Sequence, residues 1–216
     1  MQKAFPHRYI SIEGPIGVGK TTLTKLLCEE LNAQPFLEEF EDNPFLRSFY
    51  EDPKTVAFQT QVYFLMARYK QQQRLEQPDL FSQRVVSDYI FAKDRIFAYL
   101  NLQDEEIKLY EKIYDLVGQQ TLKPDLVVYL SADVDTLMQR IHQRGRNYED
   151  NVDPDYLHQL MKIYGDFFSH YSETPLLMVD TTHLNFPERP EDYHLILEAI
   201  ASTTEGTRHL QKSCLA

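Results

Sequence analysis

The pattern of apolar and polar positions predicts strands and helices that alternate along the whole chain. Short apolar runs, typical of buried strands, occur at Tyr9–Ile12, Pro35–Leu37, Val85–Asp88, Asp125–Leu130 and Leu176–Val179. The segments between them have helical character. Because continuous apolar strands are covered on both faces, the pattern predicts an α/β fold of three layers, in which helices flank a five-stranded parallel sheet.

The helical segments show their periodicity through apolar side chains. In 20–31 the residues that share one face are Leu23, Leu26, Leu27 and Leu31. A long helix is predicted over 54–77, with one side formed by Val56, Gln59, Val62, Tyr63 and Met66. Further helices are predicted from about residue 90 to Gly118 and over 191–202. Since parallel sheets bind ligands at the carboxyl ends of their strands, residues that directly follow strands are the first functional candidates.

The segment after the first strand carries the most specific motif. It reads Gly14-Pro15-Ile16-Gly17-Val18-Gly19-Lys20-Thr21, matches G-x-x-x-x-G-K-[ST] in full, and holds three of the chain's 7 glycines. In such a loop the backbone N–H groups surround phosphate oxygens, Lys20 reaches the β- and γ-phosphates, and the Thr21 hydroxyl ligates Mg²⁺. We expect this segment and Thr22 to bind ATP in a P-loop NTPase-type fold.

Length, charge and cysteine content narrow the class of protein. The 216 residues suit one domain, predicted over 1–205 and followed by a frayed tail over 206–216. A net charge of −11 argues against a nucleic-acid polymer as partner. The cysteines, Cys28 and Cys214, are too few for a disulfide framework, and no apolar stretch is long enough for a membrane span. These features predict a cytoplasmic protein.

The phosphate loop does not identify the phosphoryl acceptor. A GTPase also needs Asn/Thr-Lys-x-Asp after a late strand, whereas Leu122-Lys123-Pro124-Asp125 lacks the first residue and precedes its strand. A large mechanical ATPase does not fit in one small domain. A small kinase is therefore the leading class.

Further motifs, in order along the chain, resemble the deoxynucleoside kinase family and in particular its bacterial deoxyadenosine and deoxyguanosine kinases. They are Ile12–Thr21, Glu38–Leu46, Phe49–Pro53, Ala57–Thr60 and Gln139–Arg146. The resemblance implies that ATP and Mg²⁺ are used to phosphorylate the 5′-hydroxyl of a deoxynucleoside, with a purine preferred, in nucleotide salvage. It also implies a homodimer formed through the helices of 54–77 and 90–118.

Two acidic positions after predicted strands are candidate catalytic groups. Glu38 stands where the family carries its catalytic base, and the neighbouring Glu39 leaves the choice between the two open, with Glu38 preferred. Asp88 ends the third strand, where a carboxylate can hold a Mg²⁺-bound water opposite Thr21, contact the substrate, or cap the next helix.

This chain departs from the family pattern beside Asp88. Many members have Glu-Arg-Ser near this point, whereas this sequence has Asp88-Tyr89-Ile90. The missing arginine leaves one contact to a phosphate or to the 5′-oxygen without a known donor. Lys93 and Arg95 are the candidate replacements.

The segment 140–146 is a dense cluster of positive charge in an acidic chain. Arg140, Arg144 and Arg146 resemble the arginines of the family's lid, predicted at about 142–152, which closes over the phosphates. Arginines there stabilise charge on the transferred phosphoryl group and can contribute about 10³–10⁵ in rate. Cations also suit a helix C-terminus, and Gly145 suits a helix stop, so both interpretations coexist.

The resemblance also implies contacts to the nucleoside. Tyr50 matches the tyrosine that packs on the deoxyribose, Glu149 its acidic partner, and Gln59 the glutamine that pairs with the base edge. Candidates for the pocket wall are Phe91, Phe58 and Tyr63. Helical spacing puts Arg68 near the face opposite Gln59, which predicts a surface charge. Asp94 either reads the base or pairs with Arg95.

Two other functions stay open at this point. A nucleoside monophosphate kinase such as a thymidylate kinase has a similar sheet and lid, but it needs extra arginines for the phosphate of its acceptor. Between Leu37 and Tyr69 the only arginines are Arg47 and Arg68. A non-catalytic regulatory module that binds nucleotide would not account for Glu38 occurring together with the lid arginines.

Overall fold

The computed structural model describes residues 5–39, 42–75, 84–118, 121–145 and 152–212. Within these residues a six-stranded sheet has the order β2-β3-β1-β4-β5-β6, and all its pairs are parallel. The strands are β1 (Tyr9–Glu13), β2 (Gln34–Phe36), β3 (Val85–Ser87), β4 (Leu126–Ser131), β5 (Leu176–Asp180) and β6 (Thr207–Gln211). The predicted α/β architecture is confirmed, with one strand more than expected.

The helices connect these strands and cover the sheet. They are α1 (Lys20–Leu31), α2 (Leu46–Glu51), α3 (Pro53–Leu75), α4 (Lys93–Asn101), α5 (Asp104–Gly118), α6 (Val134–Arg144), α7 (Pro154–Ser169) and α8 (Pro190–Ser202). Of these, α2 and α7 were not predicted. The start of α7 does carry a local signal, because the Asp153 side chain accepts from the Asp155 N–H and Pro154 occupies the first turn.

The extra strand β6 lies in the tail that was predicted to be frayed. Its backbone pairs with β5 from Leu176↔Thr207 to Asp180↔Gln211. Four of its five side chains are exposed, so the segment has no apolar periodicity from which a strand could be predicted. This segment forms a strand because the free backbone N–H and C=O groups at the edge of β5 are available to hydrogen-bond with it.

Strand β1 lies in the middle of the sheet, between β3 and β4, and positions the site. From β1 the chain moves first to β2 and β3 on one side, and later to β4, β5 and β6 on the other. A crevice at the carboxyl ends of the strands forms where the connections diverge. Fully buried side chains on β1 and β4, among them Ile12, Val127 and Leu130, pack the core beneath it. No helix in the described part of the chain is long and apolar enough to cross a membrane.

Candidate active site

The phosphate loop connects β1 to α1, as predicted. Gly17 and Gly19 have φ angles of 82° and 103°, a conformation that residues with a side chain rarely adopt. A Cβ atom on Gly17 would lie 2.8 Å from Ile141 Cγ1, so helix α6 packs directly on the loop. The Lys20 ammonium donates to the carbonyls of Gly14 at 2.7 Å and Pro15 at 3.0 Å. The loop thus has the backbone conformation of a phosphate cradle.

A cavity of about 570 Å³ opens beside this loop. Its lining contains these residues from the predicted site: Ile16, Gly17, Val18, Gly19, Lys20, Thr21, Thr22, Glu38, Tyr50, Asp88, Arg140 and Arg144. The lining also contains Lys93, one of the two candidate replacements for the missing arginine, together with Phe49, Gln61, Phe64, Arg68 and Phe97, which were not predicted to be there. We refer to this space as the main cavity.

Thr21 and Asp88 meet at the edge of the phosphate loop. The Thr21 hydroxyl donates to Asp88 Oδ2 at 2.6 Å, and the other carboxylate oxygen of Asp88 accepts from the backbone N–H of Glu38 at 2.8 Å. Asp88 does not cap the next helix, whose N-cap is Ala92. Two hard oxygen donors beside a phosphate loop fit Mg²⁺, which binds one or two protein oxygens and completes its shell with phosphates and water.

Glu38 faces the main cavity between two cations. Arg68 donates to its Oε1, and Lys93 Nζ donates to its Oε2 at 2.6 Å. Burial alone would raise the pKa of Glu38, but the charges and hydrogen bonds of Arg68 and Lys93 hold it well below the usual range. Glu39, the other candidate, is about half exposed and pairs with Arg74 at 3.0 Å outside the main cavity. The structure therefore presents Glu38, and not Glu39, to the cavity.

Arg68 is a buried site residue, so the prediction of a surface charge was wrong. Only 4% of the residue is exposed, and its guanidinium bridges Glu38 and Asp94. The positive charge of Arg68 compensates the carboxylate of Asp94, which is fully buried. Burial still raises the pKa of Asp94 to about 7. Asp94 does not pair with Arg95, which instead binds Glu111.

The glutamine that reaches the main cavity is Gln61, whereas Gln59 does not reach it. Gln59 is exposed on the outer face of α3, and Met66 lies on the same face. Gln61 is 2% exposed, and its Oε1 accepts no hydrogen bond from the described residues. Gln61, Phe64 and Arg68 are spaced by three and four residues and therefore share the inward face. This spacing was the available signal, but the apolar Val62 and Met66 indicated the wrong face.

The predicted aromatic wall is also composed differently. Phe91 packs on Tyr114 at a ring distance of 5.2 Å, in a small apolar cluster between α3, α4 and α5. Phe58 and Tyr63 line a separate space on the outer face of α3. The aromatic residues of the main cavity are instead Phe49, Tyr50, Phe64, Phe97, Tyr156 and Phe186.

Of the lid residues, Arg140 and Arg144 lie within the described part of the chain and border the main cavity. Arg140 donates to the hydroxyl and the carbonyl of Thr181, both at 2.9 Å, and thereby ties α6 to the loop after β5. Gly145 ends α6 in the left-handed conformation, as expected for a helix stop. Arg146 and Glu149 lie outside the described residues, and so does most of the predicted lid.

Comparison with known proteins identifies the family. The family model for deoxynucleoside kinases matches residues 10–205. The chain belongs to the deoxynucleoside kinase family. Among its curated relatives, deoxyguanosine kinase from Bacillus subtilis (strain 168) is 36% identical over 204 residues, which cover 87% of this chain and 93% of that protein.

Further relatives agree with this family. Deoxyadenosine kinase from Lactobacillus acidophilus is 33% identical over 191 residues, covering 82% of this chain and 87% of that protein. A solved structure of deoxyadenosine kinase from M. mycoides with bound dATP superimposes with a TM-score of 0.79 at 28% identity, covering 90% of this chain and 100% of that one. This deoxynucleoside kinase therefore shares both the sequence and the fold of its family over most of its length.

Proposed function

We propose that this deoxynucleoside kinase transfers the γ-phosphoryl group of ATP to the 5′-hydroxyl of a purine deoxynucleoside. The observation that carries the proposal is the placement of Glu38, whose carboxylate faces the same cavity as Lys20 and Thr21 of the phosphate loop. A carboxylate in this place can accept the proton of an attacking hydroxyl, a contribution of about 10²–10⁴ in rate.

The residues of the cavity divide the work of this reaction. The phosphate loop binds the phosphates, with Lys20 leaving its two loop carbonyls to donate to phosphate oxygens. Thr21 and Asp88 would hold Mg²⁺, which supplies positive charge to the β- and γ-phosphates when bound. Glu38 orients the 5′-hydroxyl and takes its proton, and Arg144 stabilises the charge on the transferred group. Arg146 and Glu149 keep their predicted roles as lid arginine and sugar contact.

The part of the main cavity that is lined by Gln61, Phe64 and Tyr50 suits a nucleoside. Gln61 presents a buried amide oxygen that has no partner among the described side chains, and an amide can both donate to and accept from a base edge. Phe64 and Tyr50 add aromatic surface to the lining of the cavity. The relatives named as deoxyguanosine and deoxyadenosine kinases support a purine as the preferred base.

The charges around the acceptor favour a nucleoside over a nucleoside monophosphate. Arg68 is bound to two carboxylates, and Arg47 is 89% exposed and pairs with Glu51. Neither arginine of this segment therefore offers uncompensated charge to an acceptor phosphate. A neutral acceptor fits this arrangement better.

One assay tests the proposal. The protein is incubated with ATP and Mg²⁺ and, in separate reactions, with each of the four deoxynucleosides, the ribonucleosides and the corresponding monophosphates. We expect phosphorylation of deoxyguanosine or deoxyadenosine to be fastest. Turnover of monophosphates alone would assign the protein to the alternative class of kinases, and the absence of any turnover would favour a regulatory module.

A second experiment tests the metal site. Asp88→Asn removes a negative charge opposite Thr21, so we expect the Mg²⁺ concentration at half-maximal rate to rise by about tenfold or more. Asp166→Asn, at a position on α7 outside the main cavity, is the matched control. An unchanged Mg²⁺ requirement in the Asp88 variant would count against the assignment.

We also propose a homodimer. Exposed apolar side chains lie on the helices predicted for dimerisation: Met66 on α3, Tyr99 on α4, and Leu109 and Leu116 on α5, the last being 81% exposed. Mass measurement by light scattering should give a dimer for the wild type and a shift toward monomer for Leu116→Glu. A monomeric wild type would refute the proposal. The cytoplasmic location and the absence of nucleic-acid or membrane partners remain predictions from the sequence.

A further inference from the structure

A second cation reaches Glu38 from helix α4. Lys93 lies in the first turn of α4, and its side chain is 7% exposed. Its ammonium donates to Glu38 Oε2 at 2.6 Å, while Arg68 occupies Oε1, so each carboxylate oxygen is held from a different helix. Each oxygen keeps a further lone pair, which leaves the carboxylate able to accept a proton.

The position where the family has arginine cannot supply this cation. Tyr89 is fully buried, its hydroxyl donates to Gln71 Oε1 at 3.0 Å, and its ring lies 5.8 Å from that of Phe36. It does not line the main cavity. The other candidate replacement, Arg95, donates two hydrogen bonds to Glu111 at 3.0 and 2.8 Å and lies between α4 and α5.

The surroundings of Lys93 keep it positively charged. Burial alone would lower the pKa of Lys93, but the charges of Glu38 and Glu13 raise it above its ordinary value. Lys93 also lines the same cavity as the phosphate loop, and its charge contributes to lowering the pKa of Lys20 to about 8, a shift caused mainly by burial. An ammonium group is therefore present beside Glu38, in the same cavity as the phosphate loop.

We propose that Lys93 is a positioning residue, which holds the Glu38 carboxylate toward the 5′-hydroxyl. The inference rests on the proposed function. In the transfer, Glu38 takes the hydroxyl proton, a bond forms between the 5′-oxygen and the γ-phosphorus, and the bond from that phosphorus to the β–γ bridging oxygen breaks to release ADP. Lys93 remains protonated throughout.

The test compares Lys93→Gln and Lys93→Arg with Arg95→Gln in the deoxynucleoside assay. We expect kcat to fall about 10²-fold in Lys93→Gln while the Kd for ADP stays within about twofold, because the phosphate loop is unchanged. Lys93→Arg should recover at least a tenth of wild-type kcat, and Arg95→Gln should match the wild type. A wild-type kcat in Lys93→Gln, or an equal loss in Arg95→Gln, would overturn the inference.

A second measurement separates positioning from a merely structural role. Lys93→Ala leaves space for a small amine beside Glu38, so added ethylamine should increase its kcat in a saturable way and leave Arg95→Gln unaffected. Failure of the amine to increase kcat would contradict the inference, and this measurement together with Lys93→Arg decides the matter if Lys93→Gln does not fold. A wild-type protein that phosphorylates no deoxynucleoside would instead refute the proposed function, before any variant is made.

Discussion

The two faces of helix α3 differ in chemistry although each borders a cavity of nearly the same size. The inward face carries Gln61, Phe64 and Arg68 and borders the main cavity of about 570 Å³. The outer face carries Gln59, Met66 and Lys70 and borders a space of about 580 Å³ that is lined mainly by α3 itself. Volume therefore does not distinguish the candidate active site from the space on the outer face of α3.

The inward face differs in that side chains from several elements meet there. At Glu38, which follows β2, groups meet from α3, from α4 and from Asp88 after β3, and the charges there are compensated by opposite charges. Burying a charge costs free energy unless an opposite charge is paired with it. A protein that keeps four such groups together, here Glu38, Arg68, Asp94 and Lys93, does so for chemistry or for a strict geometric requirement. On the outer face, Arg74 and Glu39 form an exposed ion pair, which contributes little to stability.

The largest expected effect comes from Glu38→Gln, which keeps the shape of the inward site and removes its proposed proton acceptor. We expect turnover to fall by about 10²–10⁴-fold while ADP still binds with wild-type affinity. Glu39→Gln, one residue away and pointed outward, is the control and should keep its turnover. A loss in the Glu39 variant with little change in the Glu38 variant would exchange the roles of the two glutamates.

The next effect separates two cations on the same helix. Arg68→Gln removes a charged hydrogen bond to Glu38, and we expect kcat/KM for the deoxynucleoside to fall about 10–100-fold, whereas Lys70→Gln on the outer face should stay near wild type. The thermal stability of the Arg68 variant should also fall, because Asp94 loses its buried partner. Similar kinetics for the two variants would remove the distinction between the faces.

The pH dependence of the Arg68→Gln variant tests the contact between Arg68 and Glu38 independently. Without Arg68 the pKa of Glu38 rises, although Lys93 and Lys20 still face the carboxylate and Asp94 and Asp88 lie nearby. Glu38 must be ionised to accept a proton, so activity that depends on it is lost as pH falls through its pKa. The acidic limb of kcat/KM should therefore move to higher pH in Arg68→Gln. An unmoved limb would show that another group sets it.

The smallest effect compares the two glutamines. Gln61→Ala should raise the KM for the deoxynucleoside by up to about tenfold, because one neutral hydrogen bond to the base is lost. Gln59→Ala should leave KM unchanged, since its side chain is exposed on the outer face. An effect at Gln59 and none at Gln61 would show that the base binds in the outer groove.

Much of the fold followed from local pattern. The helix Lys20–Leu31 has the predicted ends, and the five predicted strands exist within one or two residues of their expected limits. The apolar pattern suffices for β1, β3, β4 and β5 because these strands bury most of their own side chains. Strand β6 was missed because its order comes from hydrogen bonds to β5 and not from its own side chains.

The candidate site likewise contains residues that the local pattern predicts and residues that it does not. The phosphate loop, Glu38 and Asp88 were predictable because each follows directly after a strand, and the carboxyl ends of parallel strands meet at one edge of the sheet. Arg68 was assigned to the wrong environment and Gln61 was not predicted at all, since helical spacing shows which residues share a face but not which face is turned inward.

The sequence by itself determined that this chain forms a parallel α/β sheet with a phosphate loop and an acid beside it, because each element carries its own local pattern and the carboxyl ends of parallel strands meet at one edge of the sheet. Only the tertiary structure decided that α3 turns Arg68 toward Glu38 and that Lys93 joins it from α4. The physical reason is that a buried charge network is defined by partners far apart along the chain, whose mutual compensation becomes visible only once the helices are packed.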